Sequence, residues 1–105
     1  MGDVMILYPR GHINAHTVKE FEGQLVSLIE QQGTQLLING RELSYIASAG
    51  LGALMGVIED VRARQGDIRL SDLNQGVYEV FDILGFTHLF KIFPTEEEAL
   101  NSFRG

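Results

Sequence analysis

Two kinds of apolar pattern alternate along the chain. Short, nearly continuous apolar runs take turns with longer stretches in which apolar residues recur every three or four positions. The first run, Val4-Met5-Ile6-Leu7-Tyr8, is the pattern of a strand buried on both faces. Pro9, Gly11 and Asn14 then punctuate a loop. A helix is predicted from Val18 to Gln32, with Phe21, Leu25, Leu28 and Ile29 on one face, Thr17 and Glu20 as a capping box, and Gly33 at the C′ position. Gln35 to Asn39 reads as the second strand, and Leu43 to Ile46 as a connection.

The next helix is predicted from about Ala49 to Arg64. Leu51, Leu54, Met55, Ile58 and Val61 form its buried stripe, and Gly66 stops it. Ile68-Arg69-Leu70 is a short third strand. Asn74 caps a third helix, with Val77, Val80, Phe81 and Leu84 inward and Gly85 at its end. Leu89 to Phe93 is the fourth strand. Thr95 with Glu98 opens a last helix whose apolar side is Ala99, Leu100 and Phe103. The order β-α-β-α-β-α-β-α predicts a single α/β domain over residues 1–105, with a mainly parallel four-stranded sheet and four helices. In such sheets, sites gather where loops leave the C-terminal ends of strands. The loops Arg10 to His16 and Arg41 to Ser48 fit that place best.

Composition narrows the partner class. With 105 residues and no cysteine, there is neither a disulfide framework nor a thiolate metal site, which fits a reducing, cytoplasmic setting. No segment has the length of an apolar membrane span or the layout of a signal peptide. A net charge of −6, with eight scattered Lys and Arg, argues against nucleic acid and leaves a protein or a small molecule as partner.

The stretch Ile46-Ala47-Ser48-Ala49-Gly50-Leu51-Gly52-Ala53-Leu54-Met55-Gly56 carries the candidate chemistry. It places Ser48 at a helix N-terminus, where free N–H groups and the helix dipole favour negative charge. Such a serine is a plain N-cap worth about 1 kcal/mol, a nucleophile, or a phosphorylation site. A nucleophile lacks its setting, because Ile46 stands where a nucleophile elbow has glycine and only His88 follows as a base. His12 and His16 have no obvious third ligand, so no metal site is expected. Gly50-x-Gly52 has no Gly-Lys-Ser/Thr ending, so no nucleotide cofactor is expected either. Gly52-x-x-x-Gly56 lies on an amphipathic helix and reads as tight packing against the sheet. The residues alone favour the cap.

An ordered set of motifs moves that balance. Gly11-His12-Ile13-Asn14, Leu37-Ile38-Asn39 through Leu43-Ser44-Tyr45-Ile46, Ala47-Ser48-Ala49-Gly50-Leu51-Gly52, and Gly85 with Leu89-Phe90-Lys91-Ile92-Phe93 and Thr95-Glu96-Glu97-Glu98-Ala99-Leu100 together resemble the STAS domains. Within that family the chain resembles specifically the single-domain anti-sigma-factor antagonists of bacteria. The resemblance implies a non-enzymatic switch, in which the unphosphorylated protein binds an anti-sigma-factor serine kinase and phosphorylation of Ser48 ends that binding until a phosphatase restores it. It implies a partner surface on the loop Arg10 to His16 and around Ser48, drawing on Gly11, His12, Asn14, Ala47, Ser48, Ala49, Gly50 and Gly52. Two positions depart from the family pattern. Ala47 stands where an Asp or Ser is usual, which keeps open a STAS adaptor, scaffold or transporter accessory subunit that binds without phosphorylation. The usual first edge strand is missing or very short ahead of Val4, which would expose a strand edge for homodimer pairing.

Overall fold

The computed structural model describes residues 4–33 and 35–104. Its main sheet has four parallel strands, β1 (Met5–Leu7), β3 (Gln35–Asn39), β5 (Asp67–Ser71) and β6 (Ile92–Phe93), in the order β1-β3-β5-β6. A second, two-stranded parallel sheet pairs β2 (Gly11–Ile13) with β4 (Leu43–Ile46). The four helices are α1 (Val18–Gln32), α2 (Ser48–Ala63), α3 (Gln75–Ile83) and α4 (Glu96–Ser102).

Strand alternation decides which helix covers which face. Leu36 and Ile38 on β3, with Ile68 and Leu70 on β5, point into one core with Phe21, Leu25 and Ile29 of α1, Leu51, Leu54, Ile58 and Val61 of α2, and Val77 and Phe81 of α3. Leu37 and Ala99 are fully buried yet outside that core. They lie on the opposite face under α4, where Arg69 donates to Ser102 at 2.7 Å and stacks over Phe103 at 4.4 Å.

Several expectations need correction. The loop after Pro9 and the connection 43–46 are not irregular: they pair with each other as β2 and β4. Ser44 and Tyr45 are exposed and Leu43 and Ile46 buried, so the segment lacks the apolar run that marks the inner strands. β1 covers only Met5–Leu7, and its side chains are half-buried; among the described residues it is an edge strand with β3 as its neighbour. An earlier edge strand would fall on residues 1–3, outside the described residues. The fourth strand shrinks to Ile92–Phe93. Gly85, at φ +80°, turns the chain into a 3₁₀ turn over Phe86–His88, and Phe86 stacks on buried Phe90 at 6.1 Å. Side-chain burial, not strand pairing, accounts for that apolar run.

Helix termini differ as well. Thr17 does not cap α1; its hydroxyl accepts the Asn14 N–H at 2.9 Å and donates to the His12 carbonyl at 2.8 Å. The left-handed residue ending α2 is Gln65, at φ +69°, one before Gly66. Met55 and Leu84, expected inside, are 43% and 50% exposed, because each lies at the margin of its helix's buried stripe. The caps at Asn74 and Thr95 do form, accepting from Val77 N–H at 2.8 Å and Glu98 N–H at 3.2 Å.

The carboxyl edge of the main sheet carries a hydrogen-bonded cluster. Glu96 Oε1 accepts from the Tyr8 hydroxyl at 2.7 Å and from Asn39 Nδ2 at 2.8 Å. Asn39 is fully buried; its amide also donates to Asp72 at 3.1 Å, and its carbonyl oxygen accepts the Arg41 N–H at 2.9 Å. The Arg41 guanidinium lies 5.2 Å from the centre of the Tyr8 ring. The Tyr8 hydroxyl, then the Asn39 amide, and further the Arg41 charge hold the Glu96 carboxyl below its ordinary value of 4.5 against the opposing effect of burial. The folded value is thus the lower one. Glu96 contributes its full stability above the unfolded value and loses it as pH falls through the folded one. Tyr8 is the reverse case: its bond to Glu96, first, and burial raise it above 10.0, so its contribution is complete below that value and fades as pH rises beyond it. Replacing Glu96→Gln is expected to flatten the fall of the melting temperature between about pH 5 and pH 3, measured by thermal unfolding across that series; an unchanged slope would show that the carboxylate does not titrate with unfolding.

Candidate partner-binding site

β4 delivers the chain to Ala47, which is extended (φ −91°, ψ 170°) and occupies the cap position of α2. Ala47 has no side chain with which to cap. Its N–H donates to the Ile13 carbonyl at 2.8 Å, joining the end of β4 to the end of β2, and its carbonyl accepts the Gly50 N–H at 2.9 Å. Ser48 is therefore the first helical residue and not the cap, which corrects the cap reading. It is exposed, and its hydroxyl makes no hydrogen bond to any described residue.

Gly50 fixes how deeply the helix start sits. A Cβ there would lie 2.7 Å and 2.9 Å from atoms of Ile46 and 2.8 Å from Ile13. Only a glycine lets the first turn of α2 close on the two-stranded sheet. Gly50 is buried and so acts on the site through packing.

The neighbouring loop is held by local bonds. Asn14 Oδ1 accepts from the His16 N–H at 2.8 Å and the Thr17 N–H at 3.2 Å, an Asx turn that commits its side chain to the loop itself. Gly11 takes φ +70° at a register shift in the β2–β4 pairing, and its N–H donates to the Glu42 carbonyl at 3.0 Å. Across that pairing His12 lies opposite Tyr45, ring centres 6.2 Å apart, and both are exposed. The structure thus places His12, Asn14, Ala47, Ser48, Ala49 and Gly52 about the C-terminal end of the β2–β4 pair and the start of α2, with Gly50 beneath, whereas Gly11 lies at the other end of that pair, opposite Leu43. Tyr45 and Met55 join the exposed side; sequence reasoning placed Tyr45 in a connection and Met55 in the core.

The charge of this face is its other property. Residues 43–58 and 11–18 contain no Asp, Glu, Lys or Arg, although the chain has 22 such residues (14 acidic and 8 basic). A phosphate on Ser48 would add about −1.5 to −2 charges to it. That charge would stand at the N-terminus of α2, the end of the helix dipole that favours negative charge.

Comparison with known proteins agrees with this geometry. The STAS domain family model matches residues 1–99, and the chain belongs to that family. It is 31% identical to the anti-sigma-B factor antagonist of Bacillus subtilis over 87 residues, covering 83% of this chain and 79% of that protein. It is 29% identical to the anti-sigma-B factor antagonist of Listeria monocytogenes over 96 residues, covering 91% and 84%. Among solved structures, the unphosphorylated anti-sigma factor antagonist SpoIIAA superposes with a TM-score of 0.82 at 25% identity, covering 100% of this chain and 91% of its own. The phosphorylated form of SpoIIAA has the same fold, with a TM-score of 0.72 at 23% identity, covering 98% and 93%. These relatives are regulatory proteins. No helix among the described residues is long and apolar enough to cross a membrane.

Because the Ser48 hydroxyl caps nothing, Ser48→Ala is expected to leave the melting temperature within about 2 °C of wild type, well inside the loss of about 0.5–2 kcal/mol that follows removal of a true cap. Gly50→Ala, in contrast, is expected to lower it by a degree set by an overpacking cost of about 1–3 kcal/mol. Thermal unfolding of the two variants side by side checks both.

Proposed function

We propose that this protein is an anti-sigma-factor antagonist that binds an anti-sigma-factor serine kinase in its unphosphorylated form and is switched off by phosphorylation of Ser48. The observation that carries the reading is the uncommitted, exposed Ser48 hydroxyl in a segment, residues 43–58, that contains no charged residue. The kinase transfers the γ-phosphoryl group of ATP to Ser48 Oγ, the hydroxyl proton is lost, and ADP leaves. The new charge then opposes a partner surface matched to a neutral one; like-charge or desolvation penalties of several kcal/mol are ordinary at interfaces, and each 1.4 kcal/mol is tenfold in affinity. A phosphatase returns the hydroxyl. The protein works in the cytoplasm through binding, without catalysis, metal or cofactor of its own.

Two glycines of α2 support a partner at this face. A Cβ on Gly52 or Gly56 would meet nothing within 4 Å, so the fold has no use for their lack of a side chain. This replaces the reading of Gly52-x-x-x-Gly56 as packing against the sheet. Each glycine costs its helix about 0.5–1 kcal/mol relative to alanine. Close approach of a partner backbone to α2 accounts for that cost.

The test pairs the purified protein with candidate kinases and ATP, with phosphate mapped by mass spectrometry. Phosphate on Ser48, absent in Ser48→Ala, and binding weakened at least about tenfold in Ser48→Asp is the expected result. Stable binding with no modification under any nucleotide favours the second reading, a STAS adaptor or transporter accessory subunit, which Ala47 in place of the usual acid or serine keeps open. Gly52→Ala and Gly56→Ala are expected to melt higher than wild type yet bind the kinase more weakly; equal or tighter binding would remove α2 from the interface.

The edge of β1 is a second proposed contact, with another copy of the chain adding β1 to β1. Its outer backbone groups have no strand beside them among the described residues. Light scattering across concentrations, with Ile6→Lys as the disrupting variant, tests it; a monomer throughout would exclude the pairing.

A further inference from the structure

The two-stranded sheet that carries the Ser48 loop is joined to the main sheet by its connectors and by a shared core, in which its Ile13, Leu43 and Ile46 are buried. Among the described residues, β2 and β4 pair with each other and with no strand of the main sheet. β2 is reached from β1 through residues 8–10, and β4 from β3 through residues 40–42. The connectors touch through the Gly11 N–H bond to the Glu42 carbonyl and an Arg10–Glu42 ion pair of 2.9 Å, whose side chains are 82% and 46% exposed. A pair that open contributes little. A two-stranded unit is marginal in water unless it packs against other elements; burial of Ile13, Leu43 and Ile46 holds this one to the core, and the place where its arms leave the main sheet is fixed by separate contacts.

That place is filled from the opposite face. Glu96, the first residue of α4, accepts from Tyr8 at the root of one arm and from Asn39 at the root of the other, both through the same oxygen. Asn39 extends the grip to the second arm by accepting the Arg41 N–H. We propose that Glu96 is a positioning residue for the Ser48 face, one carboxylate oxygen holding the roots of both arms so that β2, β4 and the start of α2 keep a single arrangement. Glu96 touches neither Ser48 nor any residue of the exposed face. It acts through the bonds that follow, Gly11 to Glu42 and Ala47 to Ile13. The Asn74 amide, which donates to the Leu43 carbonyl at 3.1 Å, supports β4 independently, so loss of Glu96 loosens the arms without unfolding them.

The significance of this clamp for signalling rests on the function proposed above, but its physical content does not. The experiment is residue-level amide hydrogen exchange by NMR on the full chain as wild type, Glu96→Ala and Glu96→Gln. In Glu96→Ala the Gly11 and Ala47 amides are expected to exchange about tenfold faster, the scale of losing charge-assisted hydrogen bonds from a local opening. The amides of β3 and β5 are expected to stay within about twofold of wild type, since that pairing opens separately. Glu96→Gln keeps an acceptor oxygen and is expected to recover at least about half of the lost protection on a logarithmic scale. Uniform acceleration throughout the chain would reduce Glu96 to a general stabiliser, and unchanged Gly11 and Ala47 amides would abolish the clamp; either overturns the proposal. Kinase affinity, measured on the same variants, should fall in Glu96→Ala and return in Glu96→Gln. If no kinase binds or modifies wild type, the functional reading fails and the exchange result stands.

Discussion

The meeting of Ile13, Ile46 and Gly50 is the contact on which the functional half of the molecule depends. Three segments converge there, the ends of β2 and β4 and the first turn of α2, with no space for a methyl group at Gly50. The close approach brings the Ala47 N–H onto the Ile13 carbonyl and starts the helix one residue later. Ser48 faces solvent as a consequence of packing beneath it. A bulkier residue at position 50 would lift the helix start and lose the exposed arrangement along with the contact.

Charge is distributed to the same end. The acidic and basic residues that do structural work lie away from the Ser48 face. Asp67 holds Arg62 at 3.1 Å and Arg69 at 2.9 Å, and Arg69 in turn pins α4 through Ser102 and Phe103. Glu96 and Asn39 occupy the carboxyl edge of the sheet. Residues 43–58 carry none of this charge, so the main frame is secured without placing a fixed charge on the segment that holds Ser48.

Much of this was legible in the sequence, and the failures have physical causes. The inner strands and all four helices follow from apolar runs and 3.6-residue stripes, because burial dictates both. β2 and β4 escaped notice because their pairing leaves His12, Ser44 and Tyr45 to solvent, and strands of three or four residues with one buried position in β2 and two, three apart, in β4 have no distinctive period. The run from Leu89 to Phe93 misled for the opposite reason: its apolar residues are mostly there to fill the core beside Phe86 and Phe81. At the site, Ser48 and its small neighbours stood out as a group. Sequence could not separate Gly50, which is packed tight, from Gly52 and Gly56, which are open, since all three are glycines in one helix. Nor could it connect Glu96 to Tyr8 across 88 residues of chain; in sequence the acidic run looked only like a suitable first turn of a helix.

The freedom of the Ser48 hydroxyl has a consequence for how such a regulator could be run. A side chain that holds nothing together can be altered without drawing on the energy that folds the chain. In the proposed cycle, modification and its reversal would act on recognition alone, with no refolding step to slow the return. The same molecules could then be cycled many times, and the sharpness of the response would belong to the partner enzymes rather than to this domain.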